Sequence, residues 1–195
     1  MTYKQARAKA YAVTHFPLSL KILDNCKDIV WIPGYSPFEI EGIYTLHPNY
    51  SAGCCSQTES ILLNKITKIL KPVIVVEIGS YIGWSTIHLA EHSRHVIAVD
   101  NFSEGNAKEV FLEILRLSGF KNITLIEQNS DEYFAKSLPG FADIIFIDGN
   151  HHNGQPLKDV LGALNHIDHK GWILLHDTWE SDVDIAEDEL LLNGY

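Results

Sequence analysis

From Pro72 onward the chain repeats one unit: a short apolar run, then a stretch with apolar residues at helical spacing. The apolar runs fall at 73–78, 96–99, 123–126, 144–147 and 172–175 and are rich in Val and Ile. None alternates apolar with polar, so each reads as a strand buried on both faces. The segments between them read as helices. Trp84, Ile87 and Ala90 share a face in 84–91; Val110, Phe111, Ile114, Leu115 and Leu117 do so in 106–117, and Gly119 is placed to end that helix. A short helix over 131–138 is closed by Pro139-Gly140, and Pro156 opens another that carries Leu157, Val160, Leu161 and Leu164. Buried strands joined by helices imply an α/β fold, a doubly wound, mostly parallel sheet covered on both sides. Ligands of such sheets bind beyond the carboxyl ends of the strands, where strand order reverses. The residues that matter most are therefore those that follow each strand.

The chain ahead of Pro72 has another character. Residues 4–13 fit a short amphipathic helix, and 28–50 hold Pro33, Gly34, Pro37, Gly42 and Pro48, a loop with short extended pieces. Ser56 and Glu59 form a capping box for a helix with Ile61, Leu62, Ile66, Ile69 and Leu70 on its apolar positions. The expected division is an irregular segment over 1–55, a candidate lid, followed by the α/β domain over 56–195. With 15 Lys+Arg against 25 Asp+Glu the net charge is −10, which argues against nucleic acid and anionic membranes as partners. No apolar run is long enough to span a bilayer, and no apolar stretch of signal-peptide type follows Lys4, Arg7 and Lys9, so the expected location is cytoplasmic. Cys26, Cys54 and Cys55 have neither a disulfide framework nor a zinc spacing and read as reduced thiols.

The first strand runs into Glu77-Ile78-Gly79-Ser80-Tyr81-Ile82-Gly83-Trp84-Ser85-Thr86. Gly79 permits a tight turn, and Gly83 opens a helix whose free N–H groups suit an anionic or polar ligand. A dinucleotide site wants glycine where Tyr81 stands, which disfavours a nicotinamide oxidoreductase. Asp100 closes the second strand, where a carboxylate can accept both hydroxyls of a ribose.

These segments resemble class I S-adenosylmethionine-dependent methyltransferases. The Glu-x-Gly-x-x-x-Gly-x-Ser form from Glu77 to Ser85 looks like the small-molecule O-methyltransferase branch. Phe146-Ile147-Asp148-Gly149-Asn150-His151, Asp159-Val160 and the segment from Gly171 to His176-Asp177 are similar to relatives of macrocin O-methyltransferase and cephalosporin hydroxylase. The resemblance spans about residues 56–178. It implies a Rossmann-like fold and S-adenosylmethionine as the methyl donor. It implies that Glu77, Gly79, Ser80, Tyr81, Gly83 and Ser85 form the loop around the donor's methionine part. Asp100, with Asn101 beside it, would hold the ribose, Asn129 and Ser130 would lie beside the adenine, and Asp148 would border the same cleft. A small-molecule hydroxyl would accept the methyl group.

Asp148, His151, His176 and Asp177 follow the fourth and fifth strands and should converge. Methyl transfer to oxygen needs the acceptor deprotonated and aligned. His151 is the candidate base, with Asp148 to orient it or bind a metal. In metal-dependent relatives, a carboxylate after the fourth strand and an acidic pair after the fifth hold a divalent ion. Asp148 and Asp177 match, but His176 stands at the first position of the pair. That favours Mn²⁺, Fe²⁺ or Zn²⁺ over Mg²⁺, which prefers oxygen ligands. The alternative, in which His176-Asp177 only ends a strand, stays open. His152, His166 and His169 read as solvent-facing. Trp179 reads equally as a pocket wall or a hydrophobic anchor. After the fifth strand the sequence has room for one helix, 182–192, and not for the β-hairpin usual in this fold. An uncovered edge strand makes a homodimer the expected association. Two further readings remain: a metal-dependent hydroxylase-like enzyme on the same fold, and a cofactor-binding remnant without activity.

Overall fold

The computed structural model describes residue 55 and residues 57–194. The expected helix at 4–13, the loop and lid at 28–50, and the Ser56 cap lie outside the described residues. The elements are α1 (Gln57–Leu70), β1 (Ile74–Ile78), α2 (Trp84–Ala90), β2 (His95–Asp100), α3 (Ala107–Ser118) and β3 (Ile123–Glu127). They continue as α4 (Ser130–Lys136), β4 (Ala142–Ile147), α5 (Gln155–His166), β5 (Ile167–Leu175) and α6 (Ser181–Leu192).

The strands form one sheet, in the order β3-β2-β1-β4-β5, with every pairing parallel. The chain builds outward from β1 to β3, then crosses back to lay β4 on the other side of β1. The switch point therefore lies between β1 and β4, where Asp148 N–H donates to the Ile78 carbonyl at 2.8 Å. Two apolar layers hold the sheet. Val75, Ile144 and Phe146 face Leu63 of α1, Ile87 and Leu89 of α2 and Ile114 of α3. Val76, Ile145 and Ile147 face Phe134 of α4, Val160 and Ala163 of α5 and Leu190 of α6. Successive residues of one strand thus feed opposite layers, which is why these strands carry no polar alternation.

Three local devices set the frame for the site. Asp143 at the start of β4 accepts from the N–H groups of Val73 and Ile74, at 2.7 and 2.8 Å, and so fixes where β1 begins. Gly83 stands in the left-handed region at φ 84°, and a Cβ there would lie 2.7 Å from the Phe111 ring. The opening of α2 is thereby packed directly on α3. Gly119 caps α3 as expected, in the left-handed region.

Two expectations need correction. The fifth strand starts at Ile167 rather than 172, because Ala142 pairs with Ile167 and the register then shifts so that Ile144 pairs with Trp172. The polar residues in that shift concealed it. His166 is buried rather than solvent-facing: its Nδ1 lies 2.7 Å from the Gly162 carbonyl and its Nε2 3.3 Å from that of Ser137. His152 and His169 are exposed, as expected. After β5 the chain forms α6, whose Val183, Ala186 and Leu190 are buried on the α5 side of the sheet.

Candidate active site

The β1–α2 loop packs on the end of β4. Gly79 has φ 86°, and a Cβ there would come within 2.1 Å of the Asp148 carbonyl oxygen. Only glycine fits. Its role is to let two backbones meet at the switch point. Glu77, two residues earlier in β1, is fully buried. One of its oxygens, Oε2, accepts from the Thr86 hydroxyl of α2, and Ser85 also bonds the carboxyl. Its other oxygen, Oε1, is buried without a hydrogen-bond partner, as is the hydroxyl of Ser80. Burial pushes the Glu77 carboxyl up to about 8, against the pull of Ser85 and Thr86.

Asp100 does more than the sequence suggested. Its Oδ2 accepts from the Tyr81 N–H at 2.7 Å and its Oδ1 from the Phe102 N–H at 2.6 Å. It clamps the β1–α2 loop to the β2 loop, and each oxygen keeps a lone pair for a ligand diol. Tyr81 takes φ 46° in this clamp. Asn101 accepts from Ser103 N–H and is exposed. Asn129 caps α4, its Oδ1 accepting from Glu132 N–H at 2.8 Å, which leaves its NH₂ to donate outward. The Ser130 hydroxyl accepts from Gln155, which also donates to Asp131 and Asp159. Ser130 is thus engaged in joining α4 to α5.

The acidic and histidine residues converge as expected. His176 Nδ1 lies 3.0 Å from Asp148 Oδ1 and 3.1 Å from Asp177 Oδ2. His151 places Nε2 3.5 Å from Asp148 Oδ1 and Nδ1 3.5 Å from Asp177 Oδ2. Their order follows from the sheet: Asp148 directly follows β4, His176 directly follows β5, and His176 N–H donates to the Ile147 carbonyl at 3.1 Å. Asp177 adopts φ 52°, which turns the chain away from the sheet. Trp179 is largely exposed and its indole N–H donates to Asp177 Oδ1 at 3.1 Å.

Two residues of the site had no signal in the sequence. Cys55 is buried, with Sγ 3.5 Å from Asp148 Oδ2, and Glu59 of α1 places Oε2 3.3 Å from His176 Nε2. The capping-box reading of Glu59 concealed this, because nothing local says which strand end α1 meets. Burial opposes charge on His176, but the nearby Asp148, Cys55 and Glu59 outweigh it and hold the imidazole far above its ordinary range. His151 is raised by its bond to Asp148. The Cys55 thiol is pushed well above the ordinary thiol range by burial and by Asp148.

One donor group comprises Asp148, His151, His176 and Asp177, with one ligand atom from each lying within 4.8 Å of the others. Bonds of about 2.1 Å to a common ion give donor separations of about 3.0 Å in an octahedron and about 3.4 Å in a tetrahedron. His176 Nδ1, at 3.0 Å from Asp148 and 3.1 Å from Asp177, falls in that interval, and His151, at 3.5 Å from each carboxylate through opposite ring nitrogens, lies just outside it. The ring atoms His176 Nδ1 and His151 Nε2 are also buried without an aligned hydrogen bond. Lone pairs converging in this way suit a cation.

A family of proteins described as a methyltransferase domain matches residues 76–178, more than half of the chain. The chain belongs to this methyltransferase family. Several solved structures share its fold. An S-adenosylhomocysteine-bound methyltransferase from Podospora anserina superposes with a TM-score of 0.63 at 18% identity, covering 76% of this chain and 74% of that one. An O-methyltransferase from Bacillus cereus, in complex with the same compound, gives 0.62 at 16%, covering 72% of each. A precorrin-6y C5,15-methyltransferase from Geobacter metallireducens gives 0.63 at 17%, covering 74% of each. No curated protein sequence matches the chain. No helix among the described residues of the methyltransferase is long and apolar enough to cross a membrane.

Proposed function

We propose that this methyltransferase moves a methyl group from S-adenosylmethionine to a hydroxyl of a small molecule. The observation that carries the reading is the convergence of Asp148, His151, His176 and Asp177 beside the Gly79–Gly83 loop at the switch point. When bound, S-adenosylmethionine supplies an electrophilic methyl on a sulfonium. The residues present fit it: the partnerless Glu77 Oε1 and Ser80 hydroxyl suit an amino acid's ammonium and carboxylate. The ammonium would draw Glu77 into its ionised form, Asp100 would accept the ribose hydroxyls, and the Asn129 NH₂ would be available to the base. Solved relatives carry S-adenosylhomocysteine on this fold, which supports the assignment.

His151 acts as the general base: one ring nitrogen donates to a carboxylate of Asp148 or Asp177, which orients the ring and offsets the charge it gains, and the other takes the proton from the acceptor hydroxyl. A divalent ion held by Asp148, Asp177 and His176 Nδ1 would lower the hydroxyl's pKa and leave His151 as the base. The mixed N/O donor set suits Mn²⁺ or Fe²⁺ better than Mg²⁺. We further place the enzyme in the cytoplasm and expect a homodimer through the outer edge of β5, where Trp172 is exposed. A sedimentation mass of one chain at high concentration opposes the dimer.

The test is calorimetric titration with S-adenosylhomocysteine, repeated with Asp100→Ala. One-site binding that the substitution weakens by about 1–3 kcal/mol supports the reading. No binding by the folded wild-type chain opposes it and favours a remnant. A second reading, an iron-dependent hydroxylase-like enzyme, draws on the two histidines and two carboxylates at one point. Oxygen consumption by the Fe²⁺-loaded protein supports that reading, and methyl transfer without oxygen uptake opposes it.

A further inference from the structure

His176 has two ring nitrogens, and the structure gives each its own set of neighbours. Nδ1 faces Asp148 and Asp177. Nε2 faces Glu59, and one donor atom each from Cys55, Glu59 and His176 lies within 4.8 Å of the others. The two nitrogens of an imidazole point away from each other, so a single cation cannot take both. We propose that Cys55, Glu59 and Nε2 of His176 form a thiolate-bearing site for a zinc-type divalent cation, back to back with the Asp148–Asp177 donors. The inference goes beyond methyl transfer and does not rest on it.

The distances suit a tetrahedral ion. Bonds of about 2.0 Å to nitrogen and oxygen place those atoms about 3.3 Å apart, and a bond of about 2.3 Å to sulfur places it about 3.5 Å from an oxygen ligand. His176 Nε2 is 3.3 Å from Glu59 Oε2, the separation of two ligands on one such ion, and the Cys55 thiol, which donates to Asp148 Oδ2 at 3.5 Å, belongs to the same group of donors within 4.8 Å. Nε2 is buried and has no aligned hydrogen bond, which leaves its lone pair or proton aimed into the group. A buried thiol among a carboxylate, a second carboxylate and an imidazole is poorly placed for apolar packing alone. A bound cation deprotonates it and offsets the surrounding negative charge. Sulfur and imidazole together select Zn²⁺ or Co²⁺ and disfavour Mg²⁺ and Ca²⁺. Such an ion would also fasten the start of α1 to the end of β5, two segments that the sheet does not hydrogen-bond to each other.

Cobalt(II) tests this, since thiolate ligation adds a sulfur-to-cobalt charge-transfer band in the near ultraviolet. The full chain titrated with Co²⁺ should show that band. It should vanish in Cys55→Ser, persist in the Cys26→Ser/Cys54→Ser double variant, and persist in Asp177→Ala. Glu59→Gln should weaken Co²⁺ binding tenfold or more. Cobalt binding without the band, a band that survives Cys55→Ser, or no cobalt binding by folded wild-type protein each overturns the proposal. If Cys55→Ser fails to fold, the double variant still decides, because only Cys55 remains in it to give the band. Titration of the same samples with S-adenosylhomocysteine separates the two readings. Binding of that compound without the band rejects this site alone, and the band without such binding rejects the methyl-transfer reading alone.

Discussion

Glu77 is a carboxyl that the fold keeps protonated, and this has a measurable cost. The side chain is fully buried, two hydroxyl residues of α2 bond it, and one oxygen has no partner. Its pKa rises from 4.5 to about 8 on folding. The folded chain therefore binds the proton more tightly than the unfolded one. Between pH 4.5 and 8 the unfolded state ionises and the native state does not, so stability falls as pH rises through that window. Below 4.5 the term disappears, and above 8 it levels off. From pH 5 to 8.5 the loss is on the order of 4 kcal/mol. Glu77→Gln keeps the shape and the contact with Thr86 but cannot ionise. Other groups titrate in the same range, notably His88, which burial lowers to about 3. The difference between wild type and variant removes them. Urea denaturation at pH 5 and pH 8.5 is the assay. With an m-value of roughly 2 kcal/mol per molar, the variant's midpoint should move by about 2 M relative to wild type between the two pH values. Parallel pH profiles for the two proteins would refute the reasoning. The same variant should bind S-adenosylhomocysteine more weakly, since a bound ammonium favours ionisation of the Glu77 carboxyl and glutamine cannot ionise.

Gly79→Ala should prevent stable folding or cost more than ~3 kcal/mol, because its Cβ meets the Asp148 carbonyl at 2.1 Å in a left-handed backbone; thermal melts read this directly. Asn129→Ala should lose ~1 kcal/mol of stability with the α4 cap, and its effect on S-adenosylhomocysteine affinity, measured by calorimetry, reports whether the NH₂ also serves the ligand. Asp177→Asn should weaken Mn²⁺ binding at least tenfold by electron spin resonance while leaving S-adenosylhomocysteine affinity unchanged, because Asp177 faces His151 and His176 rather than the β1–α2 loop. Phe111→Ala should cost about 3–5 kcal/mol in chemical denaturation, since the ring is fully buried under Gly83.

Much of this fold is written in local sequence. Runs such as Ile144-Ile145-Phe146-Ile147 have no polar residue to place outside, so a sheet covered on both faces follows from one run. Gly119 and Pro156 mark a helix end and a helix start by their own backbone constraints, and the structure places both there. The gathering of Asp148, His151, His176 and Asp177 was legible too, because parallel strands deliver the residues after them to one edge. Other features depended on contacts between distant segments. The register shift that lengthens β5 is a pairing event with β4, and His166 became buried because α4 and the carbonyl of Ser137 close over it. The double duty of Asp100 and the engagement of Ser130 with Gln155 arise where loops from separate strands meet. Cys55 and Glu59 show the limit most clearly. In sequence Glu59 reads as half of a helix cap and Cys55 as a reduced thiol, whereas their chemistry comes from His176, more than a hundred residues away. Hydrophobic periodicity and backbone constraint are local, so sequence determines the layers and the strand ends. Which side chains face one another across those ends depends on how the layers dock, and that the tertiary structure alone decides.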